Sequence, residues 1–82
     1  FNKNVEIDFC VPSAQLAIQV SYNLNDEATY EREVGGLIKF LKAFPGYHGY
    51  IITRDYQTQI KADSYTIEVV PIWKWLLLQD NN

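Results

Sequence analysis

Four polar side chains near the amino end, Glu6, Asp8, Gln19 and Ser21, fall at alternate positions of two stretches, VEIDFCV and LAIQVSY, whose remaining positions are mostly apolar. Period-two alternation of this kind is the signature of half-buried strands. With a turn centred between Ser13 and Ala14, Val11 faces Leu16, Phe9 faces Ile18, Ile7 faces Val20 and Val5 faces Tyr22. Both apolar series then share one face, and a slip of one residue would separate them, so the register is well specified. The same register sets Asp8 across from Gln19 and Glu6 across from Ser21. Their face offers carboxylate, amide and hydroxyl oxygens. It also has the composition of the solvated side of an ordinary antiparallel pair.

Other reactive residue types have less around them. His48, the only histidine, sits between Gly46 and Gly49 with no serine or cysteine motif beside it, and reads as a turn residue rather than a catalytic base. Cys10 shares the face of Asp8, opposite Ala17; with acids rather than cations for neighbours, it reads as unreactive. Tyr47, Tyr50, Trp73 and Trp75 could stack on bases, but the acidic balance around them favours core packing. The Glu31-Arg32-Glu33 run reads as a solvated helix face.

At 82 residues and 48% hydrophobic, the chain can bury one core and hardly two, so residues 1–82 are expected to form a single domain. It opens on Phe1 and holds no methionine, as expected of a stretch cut from a longer polypeptide. One cysteine and no Cys/His cluster of zinc spacing fit a reducing, cytoplasmic setting. The apolar run at WLLL is too short to span a bilayer, so no membrane partner is expected. A net charge of −3 with scattered lysines and arginines makes nucleic acid a poor electrostatic partner for these residues alone.

The elements that must position the polar face follow from the rest of the chain. Asn23 and Asn25 are suited to cap a helix, and Asp26 and Glu27 suit its positive end. The helix is expected to run to about Phe44, ahead of Pro45. Its stripe of Tyr30, Val34, Leu37, Ile38, Leu41 and Phe44 is expected to cover the apolar hairpin face. Gly35 and Gly36 lie beside that stripe and weaken the helix. After the PGYHG turn, YIITR reads as a strand reached by a right-handed helical crossover, hence parallel to LAIQVSY. A second hairpin follows around Asp63-Ser64, with Ile60 facing Ile67 and Thr58 facing Val69. Pro71 can open a short closing helix, PIWKWLLL, expected to bury at least one of Trp73 and Trp75.

The segments EIDF, IQVSYNLNDEATYEREVGGLIKF, YIITRD and IEVVPIWKWLL, in this order, resemble the carboxyl-terminal domain of unknown function that follows a AAA-type ATPase domain in many bacterial and archaeal proteins. That domain is similar to the PD-(D/E)xK, restriction-endonuclease-like fold. The resemblance covers almost the whole chain. It implies an α/β architecture with a mixed sheet: β-hairpin, helix, parallel strand, second hairpin and short carboxyl-terminal helix. It also implies that a preceding helix and strand are missing. The VEIDFCV strand would then expose an unpaired edge, through which the chain could form a homo-oligomer.

In active nucleases of that superfamily an Asp and a following Glu or Gln hold a divalent cation that activates water, and a Lys two residues on stabilises charge. Carried over, Asp8 matches the Asp, Gln19 the Glu/Gln, and Ser21 stands where the Lys belongs. Asp8 and Gln19 are thus the metal candidates, with Glu6 as a further donor. This is a weak set for a hard cation, which takes several oxygens, and Ser21 brings no positive charge. The resemblance therefore implies an accessory or interaction domain of a AAA-type ATPase with a degenerate nuclease site and no enzymatic activity in these residues. ATP and magnesium would belong to the amino-terminal ATPase part of the same chain, since no phosphate-binding glycine loop occurs here. Two alternatives stay open: a divalent-metal nuclease completed by the missing upstream segment, and a stand-alone protein-interaction domain.

Overall fold

The computed structural model describes residues 7–80, with side chains as far as residue 78; Glu6 and Val5, and their expected pairings with Ser21 and Tyr22, lie outside the described residues. The elements are β1 (Phe9–Val11), a 3-10 turn (Pro12–Ala14), β2 (Leu16–Val20), α1 (Glu27–Ala43), β3 (His48–Thr53), β4 (Thr58–Ala62), β5 (Tyr65–Pro71) and α2 (Ile72–Asp80). Five strands form one mixed sheet in the order β1-β2-β3-β5-β4, so the class is α/β.

The first hairpin has the expected register, with Phe9 opposite Ile18, Cys10 opposite Ala17 and Val11 opposite Leu16. Gln15 closes it in a left-handed conformation (φ 55°) and donates its N–H to the Pro12 carbonyl at 3.1 Å. As expected of strands joined through a helix, β3 runs parallel to β2. The second hairpin also pairs Ile60 with Ile67 and Thr58 with Val69. Its two turn residues, Asp63 and Ser64, both take positive φ (52° and 72°), the combination that matches strand twist in a two-residue loop. Lys42 of α1 holds Asp63 at 3.1 Å. The second strand of this hairpin, β5, inserts parallel to β3 and displaces β4 to the far edge.

The expectation for α1 is corrected in one respect that matters for the site. α1 does not cover the apolar series of the hairpin; it covers the opposite face. Val34, Leu37, Ile38, Phe40 and Leu41 pack with Ala17, Ile51, Ile60, Ile67 and Val69, and Cys10 is partly buried against them. The series containing Leu16 and Ile18 faces the other way, where Ile52, Val70, Tyr50, Ile72 and Trp75 of β3, β5 and α2 gather. The central strands explain the choice. β3 and β5 are apolar on both faces, so each face needs a helix, and the small Ala17 leaves room for the longer one. At Gly49, facing α1 from β3, an added Cβ would lie 3.1 Å from Leu41 and 3.2 Å from Leu37, a measure of how closely helix and sheet approach.

Smaller differences have local causes. α1 is capped by Asp26, whose carboxylate accepts from the Thr29 N–H (2.9 Å) and hydroxyl (2.8 Å), rather than by Asn23 or Asn25. Phe40 joins the stripe, stacked near Phe44 and Tyr47, while Tyr30 is exposed. Trp75 packs edge-on to Tyr50 with ring centres 5.2 Å apart, whereas Trp73 is 56% exposed and anchors nothing in the core.

Candidate functional site

β2 carries Gln19, and the strand's alternation turns Gln19 and Ser21 to the same face as Ala17, beneath α1. Both are buried, at 4% and 7% exposure, where the sequence suggested a wet surface. A long amide under a helix must find partners, since an unpaired buried amide is costly. The Gln19 Oε1 accepts the backbone N–H of Asp8 at 3.0 Å, and its Nε2 donates to the Glu33 carbonyl of α1 at 3.4 Å.

Asp8 immediately precedes β1, where the chain bends. The bend sends Ile7 into the core beneath α1 rather than onto the face of Phe9, so the expected Ile7–Val20 pairing does not form. In its place the Asp8 carboxylate reaches across and accepts the Val20 N–H at 2.8 Å. Asp8 and Gln19 are therefore adjacent, as expected, and the contact is reciprocal. A backbone N–H on each strand is met by a side chain of the other. The pair continues the hairpin past the last ladder residues by side-chain bonds, and Gln19 ties that end to α1.

This arrangement does not fit a cation. One oxygen of Asp8 and the Gln19 amide oxygen already accept backbone hydrogens, and the Gln19 amide lies under α1 rather than open to solvent. Among the described residues no three His, Cys, Asp or Glu side chains come together as a metal-binding group. Glu6 lies outside the described residues. Ser21 is buried and continues the parallel pairing, its N–H donating to the Ile52 carbonyl at 2.9 Å.

The remaining candidates are dispersed. His48 is exposed at the start of β3, and its N–H bonds the Gln15 carbonyl at 2.8 Å, joining the two turns at that end. The Tyr47 phenol is pushed above its ordinary value, first by partial burial and then by the neighbouring Cys10 thiol. Arg54 lies over the Tyr22 ring at 5.7 Å. Two features had no signal in the sequence. Thr53, fully buried at the end of β3, holds the next turn through its hydroxyl, which donates to the Tyr56 carbonyl (2.6 Å) and accepts the Tyr56 N–H (3.0 Å). A cleft of about 220 Å³ opens between Tyr30 and Tyr56 over Leu24 and Ile60; among the described residues no carboxylate, amine or imidazole lines it.

Among the described residues no helix is long and apolar enough to cross a membrane. No protein-family model, no curated protein and no solved structure matches the chain.

Proposed function

We propose that this chain is a non-catalytic interaction module with a restriction-endonuclease-like core, carried by a AAA-type ATPase whose nucleotide chemistry resides elsewhere in the polypeptide. The observation that carries the non-catalytic reading is that the Gln19 amide oxygen accepts the Asp8 N–H while the Asp8 carboxylate accepts the Val20 N–H. In a working nuclease of this type those two oxygens would hold the cation; here they hold the hairpin together. With Ser21 buried at the lysine position, neither the Lewis acid nor the ammonium group that phosphodiester cleavage calls on has a place. The order hairpin, helix, parallel strand supports the nuclease-like core.

Two experiments test this reading. The 82-residue chain is incubated with plasmid and single-stranded DNA or RNA in magnesium or manganese; no cleavage is expected, and metal-dependent cleavage lost in Asp8→Ala would overturn the proposal. In the full-length polypeptide, deletion of residues 1–82 is expected to change ATP turnover or assembly while leaving nucleotide binding intact. A polypeptide with no ATPase part would favour the stand-alone interaction domain instead.

A further inference from the structure

The face of the sheet opposite α1 is left uncovered along its β1 edge. α2 lies over β5 and β3, and its Trp75 and Ile72 seal Ile18, Ile52 and Val70. Beside α2, on the same face, β1 and the last residue of β2 are bare: Phe9 is 59% exposed, Val11 and Val20 more than a third, and Tyr22, just past β2, 62%. The outer side of α2 is apolar as well, with Trp73, Leu76 and Leu77 each more than half exposed. A helix riding on the middle of a sheet face and an apolar bare strip along its β1 edge form a step.

We infer that two copies of this chain pack step into step, the α2 of each seated on the bare strip along β1 of the other. A two-fold axis along the strands turns one copy face-down onto the other, so that each helix fills the vacancy beside its counterpart. The central layer then holds two helices between two sheets, with α1 of each copy outside. The dimensions agree. β1 lies two strands, about 10 Å, from β3 under α2, a spacing at which two helices pack side by side.

The area agrees too. With roughly 200 Å² for a whole aromatic side chain, the exposed parts of Phe9, Tyr22 and Trp73 offer on the order of 350 Å². The leucines and valines named above raise the apolar total to about 600 Å² per copy. A stable interface buries about 800 Å² per partner, of which roughly 500 Å² is apolar. The occupant is a second copy rather than a strand added at the β1 edge. Edge pairing would satisfy the few backbone groups of a three-residue strand and leave the apolar step in water. It also fits the asymmetry of the surface, since the opposite edge strand β4 presents Gln59 and Lys61 to solvent.

The test uses sedimentation velocity on the 82-residue chain and two variants at exposed positions, Phe9→Lys on the strip and Leu77→Glu on the helix. The parent is expected to dimerise with increasing concentration, and each variant alone to sediment as a monomer. Mixed in equal amounts, the variants are expected to recover a dimer containing one of each, seen by native mass spectrometry. In that dimer one contact is lysine against glutamate and the other is unaltered. A parent that stays monomeric at millimolar concentration overturns the inference. So do variants that dimerise as the parent does, which would point to the β1 edge, and a mixture that stays monomeric. Circular dichroism checks folding; should either variant unfold, the parent's behaviour decides.

Discussion

Replacing Gln19 by glutamate supplies a carboxylate that a metal site could use, and separates the structural reading of this position from a metal-binding one. In the structure the new side chain is buried and keeps one oxygen against the Asp8 N–H, while its second oxygen meets the Glu33 carbonyl where the Nε2 had donated at 3.4 Å. Burial and the facing carbonyl both disfavour the charged form. Fully buried carboxyls shift upward by as much as 3–5 units, and a shift of about two units is worth about 2.7 kcal/mol at neutral pH. Loss of the bond to Glu33 adds about 0.5 kcal/mol. Gln19→Glu should therefore destabilise the fold by about 3 kcal/mol at pH 7, lowering the melting temperature by roughly 10–20 °C in a domain of this size. The sign with pH follows from a raised folded-state pKa. The deficit relative to the parent is absent below the unfolded value of about 4.3 and grows as pH rises towards about 6. Urea unfolding at pH 4 and 7 reads it. A magnesium site of millimolar affinity would return about 1.4 kcal/mol at tenfold excess. A loss under about 1 kcal/mol at pH 7, or recovery with magnesium, would refute the structural assignment.

Gly35 has nothing within 4 Å of an added Cβ, so Gly35→Ala should stabilise by up to about 1 kcal/mol, whereas Gly49→Val, pressed on Leu37 and Leu41, should cost about 1–3 kcal/mol; both are read by urea midpoints. The Asp26 carboxyl is held below its ordinary 3.8 by the Thr29 hydroxyl first, then by the Thr29 N–H and Arg32. Its stabilisation is present above that value and lost as pH falls through the folded one. Asp26→Asn, which can still cap, should flatten this part of the acid transition below about pH 4 in a circular-dichroism titration. Trp75→Ala should cost about 2–3 kcal/mol through its packing on Tyr50, while Trp73→Ala in dilute solution should stay within about 0.5 kcal/mol in thermal melts.

Pairing was the most legible part of this chain. The register of both hairpins followed from alternation plus turn chemistry, because a one-residue slip in either would invert every side chain. The parallel pairing of β2 and β3 followed from the helix that joins them. Which face α1 covers did not, since alternation says that the two faces of the hairpin differ and does not say which is wetter once both are roofed. That decision lay in β3 and β5, where Ile51 and Ile52, and Val69 and Val70, are buried on opposite faces. Their adjacency depended on β5 entering between β3 and β4, a long-range choice with no local signature. Phe40 escaped the stripe for a related reason. The sheet is broad enough to bury a wider arc of α1 than a three-four repeat selects.

The polar pair shows why residue type and register carry a site only part of the way. Asp8 opposite Gln19 was legible, and the two are indeed in contact. An oxygen able to ligate a cation is equally able to accept a backbone N–H, and the sequence does not say which demand it meets. Here the demand comes from the bend that buries Ile7. Turning that side chain into the core ends the ladder before Val20, and the Val20 N–H then needs an acceptor that the β1 backbone no longer supplies. Asp8 provides it, and Gln19 serves the matching donor on the other strand. A chain with this site freed for metal would have to keep Ile7 in register with Val20, so that the ladder rather than the side chains satisfied those amides. Placement of residue 7, which bears no chemistry itself, thus decides whether residues 8 and 19 can.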